Sequence, residues 1–383
     1  MLNLNLNPKV EEFRQDFKKW LKAHKPPKVQ DQHLESFVKA GREWQKTLAA
    51  SSWIGVHWPK EYGGRGLSLV EEAILQEELV RVKSPQILGL FGLTMVGPVL
   101  IKHGTVEQKT AYLSKILSGE EIWCQGFSEP GAGSDLAAIK TKAERVPGGF
   151  KITGQKVWTS FAHIADRCFV LCRTSDTGKK HEGLTYLLVD MKSPGISVRP
   201  LQQISGDNEF NEVFFEGVFT PESQVVGQVG QGWQIAISTL MFERVVLTFS
   251  RQLQSEVALR ELVEKFDPKK MGHLSGELAA RVAEACAVRA LAYEHLIAYS
   301  NGAAPGPEGS MDKLMWSESF QEISKLALKM NGIDGAFSET SAENGEEMHR
   351  YLYSRGRTIA AGTSEIQRGI IAERVLGLPK SGK

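Results

Sequence analysis

The chain has 383 residues, 42% of them hydrophobic and 24% charged, with a formal net charge of +1. That length suffices for two or three packed layers or domains, and the balanced charge offers no global attraction to nucleic acid or an anionic membrane. No apolar run is long enough to span a bilayer, and "MLNLNLNPKVEEFRQDFKKW" lacks a signal-peptide core followed by a cleavage site, so a cytoplasmic location is expected.

From Pro8 to about Gly119 apolar residues recur at helical spacing, as in "VEEAILQEELVRV". Ser68, with Glu71 three positions on, predicts a capping box at the start of that helix. From about Ile122 to Gly227 the texture changes to short alternating runs broken by Gly, Pro, Asp and Asn. "FKITGQKVWTS", "DRCFVLCRT", "LTYLLVDM", "GISVRPL" and "NEVFFEGVF" read as strands suited to a small antiparallel sandwich or barrel. From Gly232 helices return. Ser275 is the expected N-cap of one and Gly302 its stop; Ser310 and Gly332 bracket the next. The Gly/Pro-rich "NGAAPGPEGS" joins those two helices. The expected fold class is α+β: an N-terminal helical domain (1–121), a central antiparallel β-sandwich or barrel (122–227) and a C-terminal four-helix-type bundle (228–383).

Four scattered cysteines (Cys124, Cys168, Cys172, Cys286) read as buried thiols, and no metal site is expected. In "CQGFSEPGAGSDLAAIKTKA", Gly131, Ala132 and Gly133 lie between Ser128 and Ser134, a loop of low bulk rich in N–H groups and hydroxyls. It lacks the G-x-G-x-x-G spacing of a dinucleotide fold, so by itself it reads as a surface turn. In "GQKVWTSFA", a strand would put Trp158 and Ser160 on one face and Thr159 on the other. There an indole could stack on a flat ring while a hydroxyl meets the ring's edge; a strand tryptophan alone reads more simply as core.

"HWPKEYGGRGLSLVEEAILQEEL", "FSEPGAGSDLAAIKTKA", "GQKVWTS", "GDNEFNEVFFEGVFTP" and "GTSEIQRGIIAERVLGLP", taken in order over nearly the whole chain, resemble the acyl-CoA dehydrogenases. The resemblance implies FAD between the β domain and the C-terminal helices. It implies α,β-dehydrogenation of an acyl-CoA thioester, with electrons passed to an acceptor such as an electron-transfer flavoprotein. Phe127 and Ser128 match the family's contacts to the flavin ring, and Ser134 the loop beside flavin and thioester. Trp158 matches the aromatic residue against the flavin, Ser160 the hydroxyl near its N5, and Thr363 and Glu365 the C-terminal contact to the cofactor. Gly362 falls on the substrate side.

The reaction needs a carboxylate to take the α-proton. Many family members carry it directly before the Gly-Thr of the C-terminal motif, where this chain has Ala361. Ala361 keeps only its N–H as a contact to the thioester carbonyl. A second family arrangement, used by branched-chain and some long-chain dehydrogenases, puts the glutamate on the first helix of the C-terminal bundle. "TLMFERVVL" then places Glu243 at the matching position, among Thr239, Leu240, Val246 and Leu247. Burial there would raise its pKa into a useful range. Arg244 matches a residue near the active site, structural or in contact with CoA. The rival carboxylate, Glu365, would sit in the first turn of a helix capped by Thr363, a sufficient role for its charge.

An R-x-x-F-G stretch and a later glutamine, which in homotetrameric members reach the neighbour's FAD pyrophosphate, are not recognisable in "RELVEKFDPKKMGH" or "SKLALKMNGIDG". This departure resembles bacterial heterotetrameric members in which a paralogous partner supplies the missing contacts. A homo-oligomer remains the alternative. The expected substrate is a branched, long or cyclic acyl chain, such as a steroid side chain. An oxidase, or a non-catalytic subunit that scaffolds an active partner, are the competing functions.

Overall fold

The structure is a computed structural model that describes residues 7–27, 34–176, 178–266, 272–303, 305–332 and 342–380, without the side chains of 243–249 and 342–345. Among the described residues five helices open the fold: α1 (Pro8–Ala23), α2 (Leu34–Ala50), α3 (Leu69–Arg81), α4 (Gly97–His103) and α5 (Val106–Ser118). A π-helical turn, Gly92–Val96, leads directly into α4. α1 buries Val10, Phe13, Phe17 and Leu21, an i, i+3, i+7, i+11 stripe, and Pro8 starts it where a missing N–H costs nothing. The capping box of α3 forms as expected: Ser68 Oγ accepts from Val70 N at 3.1 Å and Glu71 Oε2 from Ser68 N at 3.0 Å.

Seven strands follow: β1 (Trp123–Gly126), β2 (Lys142–Val146), β3 (Gly149–Lys156), β4 (Arg167–Arg173), β5 (Leu184–Asp190), β6 (Ile196–Leu201) and β7 (Phe210–Pro221). They form one sheet in the order β1-β4-β2-β3-β7-β6, with β5 also on β4. Four pairings are antiparallel; β1 and β2 each pair with β4 in parallel. The interiors of β4 and β5, residues 168–172 and 184–189, are buried residue after residue because both faces are covered. Cys168, Val170, Cys172, Leu187 and Val189 face a core closed within the β zone, whereas Phe169, Leu171, Tyr186 and Leu188 face the main core shared with the helices. In β7 the buried positions step from Phe215 to Val218 across a bulge at Gly217, whose φ is +68°.

The C-terminal zone holds α6 (Gly232–Lys265), α7 (Leu274–Ser300), α8 (Gly309–Met330), α9 (Ala342–Arg357) and α10 (Ser364–Ile370). Gly302 and Gly332 stop α7 and α8 in the left-handed region, φ +94° and +59°, as the sequence predicts. The two serine caps do not form. α7 starts at Leu274, so Ser275 is already helical and its hydroxyl donates back to Gly272 O at 2.7 Å. α8 starts at Gly309; Ser310 is inside the first turn and buried, while Glu308 accepts from Gly306 N and Tyr299 Oη, each at 2.8 Å.

α6 packs against β4, β5, α3 and the π-helical turn. A buried ionic group fixes this junction. Arg14 of α1 donates to Glu77 and Glu78 of α3 at 2.7 and 2.6 Å. Arg289 of α7 bridges Glu77 to Glu256 of α6, and Tyr293 Oη donates to Glu77 at 2.7 Å. Such a group stabilises only with every partner in place. Three cysteines are buried and Cys286 is half-buried, all as free thiols. Among the described residues no His, Cys, Asp and Glu cluster is placed to hold a metal, and no helix is long and apolar enough to cross a membrane.

Candidate active site

β1 ends at Gly126 and delivers Phe127 into an aromatic group, edge-on to Phe169 at 5.8 Å and Tyr186 at 6.0 Å. Behind it lies a pair absent from the sequence-based expectations. Lys156, fully buried at the end of β3, donates through Nζ to Phe127 O at 3.0 Å and Glu129 Oε1 at 2.9 Å. Glu129 also accepts from Lys140 N at 2.6 Å and Thr141 N at 2.9 Å. Burial pushes its carboxyl up, but Lys156 and these donors outweigh that and hold it below the ordinary range. Glu129 and Ala132 exchange two backbone hydrogen bonds of 3.0 Å, closing the turn that presents Ser128 and Ser134. Ser128 is half-buried and Ser134 exposed. A Cβ built on Gly131 or Gly133 would meet nothing, so the space over this loop is open.

The strand expected through Trp158 stops at Lys156. Trp158 and Phe161 take left-handed backbone conformations, φ +60° and +58°. Each such non-glycine residue costs about 1–2 kcal/mol and persists only where its surroundings fix it. Here Asn211, fully buried in β7, fixes the segment. Its Nδ2 donates to Thr159 O at 2.9 Å and Glu209 O at 3.1 Å, and its backbone O accepts from Thr159 N at 3.0 Å. Phe161 N adds a 2.7 Å bond to Glu209 O. The clamp leaves the Trp158 indole 59% exposed, with Phe210 edge-on at 5.9 Å. Thr159 is buried and Ser160 half-buried, so the two still differ in exposure although no strand runs through them.

On the other side, α9 ends at Arg357 and the chain turns through Ala361 and Gly362, φ +57° and +91°. Gln367 Nε2 donates to Ala361 O at 2.9 Å and Gly362 O at 3.3 Å, holding the turn. Thr363 caps α10, its hydroxyl accepting from Ile366 N at 3.3 Å. Glu365 lies exposed in the first turn, where backbone N–H and the Thr363 hydroxyl lower its carboxyl pKa. Ser364 Oγ and Gln367 Oε1 are buried and have no partner among the described residues. Glu243 and Arg244 belong to α6 by their backbone; their side chains lie outside the described residues.

Polar contacts join the two sides. His349 meets Asp207 at 2.8 Å and Tyr353 Oη donates to Glu209 at 3.3 Å. Arg357 stacks on Tyr353 at 4.1 Å. Burial raises the Glu209 carboxyl, partly offset by Arg357 and Arg251, and burial lowers the Arg357 guanidinium.

An exposed indole on a fixed backbone, an open low-bulk loop beside hydroxyls, and orphaned polar atoms at the α10 start together suit a flat, polar ring system. Family models agree. The N-terminal domain of acyl-CoA dehydrogenases matches residues 7–120, the middle domain 124–218 and the C-terminal domain 230–376. The chain belongs to the acyl-CoA dehydrogenase family, an oxidoreductase family whose cofactor is FAD. It is similar to acyl-CoA dehydrogenase IpdE1 of Mycolicibacterium smegmatis, with 40% identity over 396 residues that cover 98% of this chain and 99% of that protein. The solved Tcur3481-Tcur3483 steroid ACAD superposes with a TM-score of 0.85 at 28% identity, over 99% of this chain and 100% of that one. The ChsE4-ChsE5 complex from Mycobacterium tuberculosis gives 0.85 at 27% identity, over 99% and 100%.

Proposed function

We propose that this chain carries the proton-abstracting residue of an FAD-dependent α,β-dehydrogenation of an acyl-CoA thioester, and that Glu243 is that residue. The observation that carries the reading is Ala361. The residue before Gly362-Thr363 has a methyl side chain in an exposed left-handed turn, so that turn offers no base. Glu365, the nearest carboxylate in sequence, is exposed and committed to the α10 start. Glu243, on the helix backed by β4, β5 and α3, is the residue assigned to accept the α-proton.

Phe127, Ser128, Ser134, Trp158, Ser160, Thr363 and Glu365 are the proposed cofactor contacts, and Ser134, Arg244 and Gly362 the substrate contacts. Bound FAD supplies the acceptor for the β-hydride. The chain's own share is to hold the thioester carbonyl by backbone N–H near Ala361, exclude water, and place the α-carbon against the Glu243 carboxylate. A steroid-derived or other cyclic acyl group is the proposed substrate. The steroid ACAD named among the solved relatives supports this. Assembly with a paralogous subunit is proposed as well, since the names of that protein and of ChsE4-ChsE5 each join two unlike chains. An electron-transfer flavoprotein is the proposed acceptor, and the cytoplasm the proposed location.

Glu243→Gln tests the reading. Losing a general base lowers turnover by about 10²–10⁴-fold, so the variant should keep its flavin spectrum yet fail to bleach with acyl-CoA. Wild-type bleaching in Glu243→Gln would assign the proton to another residue.

A further inference from the structure

Lys156 is fully buried, and its ammonium has one charged acceptor and one neutral one. Burial pushes the thiols of Cys168 and Cys172 up, the latter to about 12, so both are neutral and the Glu129 carboxylate at 2.9 Å is the counter-charge. An apolar pair of similar volume commonly serves a buried site as well as an ion pair does, so the stability of the turn does not by itself call for this one. The neutral acceptor ties the ammonium to the site. Phe127 O lies 3.0 Å from Nζ and belongs to a trans peptide whose other end is the Ser128 N–H. In a trans peptide the C=O and N–H point in opposite directions. With the carbonyl held against the ammonium, the Ser128 N–H is turned away from Lys156, and among the described residues it has no acceptor. Ser128 O accepts from Val157 N at 2.9 Å, so the next peptide is fixed as well. The N–H thus stands at the head of the low-bulk loop, where a Cβ on Gly131 or Gly133 would meet nothing. A cation on the carbonyl also draws charge through the peptide and strengthens its N–H as a donor.

We propose that Lys156 is a positioning residue for the flavin: its ammonium aims the Ser128 N–H at a carbonyl oxygen of the ring and strengthens that donor, which raises the ring's affinity for electrons. Ring carbonyls gain negative charge as the ring takes up electrons, so a fixed donor holds the electron-rich form more tightly than the electron-poor one. Glu129 sets the strength of the effect, because its negative charge offsets part of the ammonium's field at the peptide. Lys156 need not touch the ring to do this; it acts through the backbone of Phe127 and Ser128. The inference rests on the reading that Phe127 and Ser128 face the cofactor.

The test is the flavin's reduction potential, measured on the flavin-loaded protein, with its partner subunit where flavin retention requires one, by slow reduction with dithionite beside a dye of known potential. Lys156→Met removes the cation and leaves Glu129 behind. It should shift the ratio of reduced to oxidised flavin about tenfold against the reduced form, a potential about 30 mV lower for a two-electron couple. Glu129→Gln uncovers the ammonium and should shift the potential the other way. The Lys156→Met/Glu129→Gln double variant strands no charge and so guards against misfolding; it should lie below the wild type and above Lys156→Met. A pair with a structural role alone would not give opposite signs, because loosening the turn from either side moves both single variants in one direction. Single variants that move together or not at all, or a double variant at the wild-type potential, overturn the proposal. Wild-type protein that takes up no flavin even with a paralogous partner overturns the cofactor reading of this loop, and the proposal with it. Bleaching by acyl-CoA that persists in Glu243→Gln overturns the assignment of the base and leaves these potentials untouched.

Discussion

Lys156→Met removes one ammonium from the turn that presents Ser128 and keeps most of the side chain's volume. Glu129 then loses its 2.9 Å cation but keeps the N–H groups of Lys140 and Thr141, and Phe127 O loses its 3.0 Å donor. Breaking a buried pair from one side costs about 3–5 kcal/mol; the two remaining N–H donors place this case at the lower end, about 3 kcal/mol. Glu129→Gln alone should cost a similar amount by stranding the ammonium. The Lys156→Met/Glu129→Gln double variant should cost less than the sum, because neither charge is then left alone. Denaturant unfolding of all four proteins, followed by tryptophan fluorescence and flavin release, reads the cycle. The pH dependence has a definite sign. The folded Glu129 pKa lies below its unfolded value of about 4.3. Its contribution is therefore complete above that value and lost as pH falls through the folded one. Lys156→Met should flatten that acid slope. Single variants each losing under about 1 kcal/mol, or a strictly additive double variant, would refute the pairing as the support of this turn.

Trp158→Ala should lower flavin content on gel filtration while leaving the unfolding midpoint nearly unchanged, since the indole is mostly exposed. Ala361→Gly should stabilise by up to about 1 kcal/mol, the left-handed penalty minus the entropy of glycine, provided the turn keeps its φ of +57°; a measurable loss would mean the methyl has a packing role. Glu77→Gln leaves Arg14 and Arg289 without the carboxylate they share, and should destabilise by about 3 kcal/mol or more in thermal unfolding, with Arg14→Met/Glu77→Leu recovering part of it.

Local signals were legible in the sequence where they act over a few residues. The Ser68 and Glu71 box and the glycine stops at Gly302 and Gly332 could be read because spacing alone determines them. The caps at Ser275 and Ser310 misled because both helices start two residues earlier, with His273 and Glu308 at the caps, where tertiary packing outweighs a hydroxyl's preference. Trp158 lies in an alternating run, yet the left-handed bends at Trp158 and Phe161 depend on Asn211, about fifty residues away in β7. No period reports such a contact. Lys156 and Glu129 were hidden for a similar reason: each looks like an ordinary charged residue until the turn folds one onto the other. The family motifs were visible because they preserve residue identity in short runs.

The polar seam across the proposed site also sets an order of events during synthesis. Asp207 meets His349, which lies 142 residues further along the chain, and Glu209 meets Tyr353 at a separation of 144. At about 5–20 residues per second, the β zone leaves the ribosome roughly 7–30 s before its α9 partners exist. During that interval the Asn211 clamp can already fold, since Thr159, Phe161, Glu209 and Asn211 are all made, but the carboxylates beside it stay uncovered. A nascent chain halted before α9 would then present Trp158 on a formed edge with no opposing wall, so at the proposed site retention of the cofactor would be a late checkpoint on the finished protein rather than an early aid to its folding.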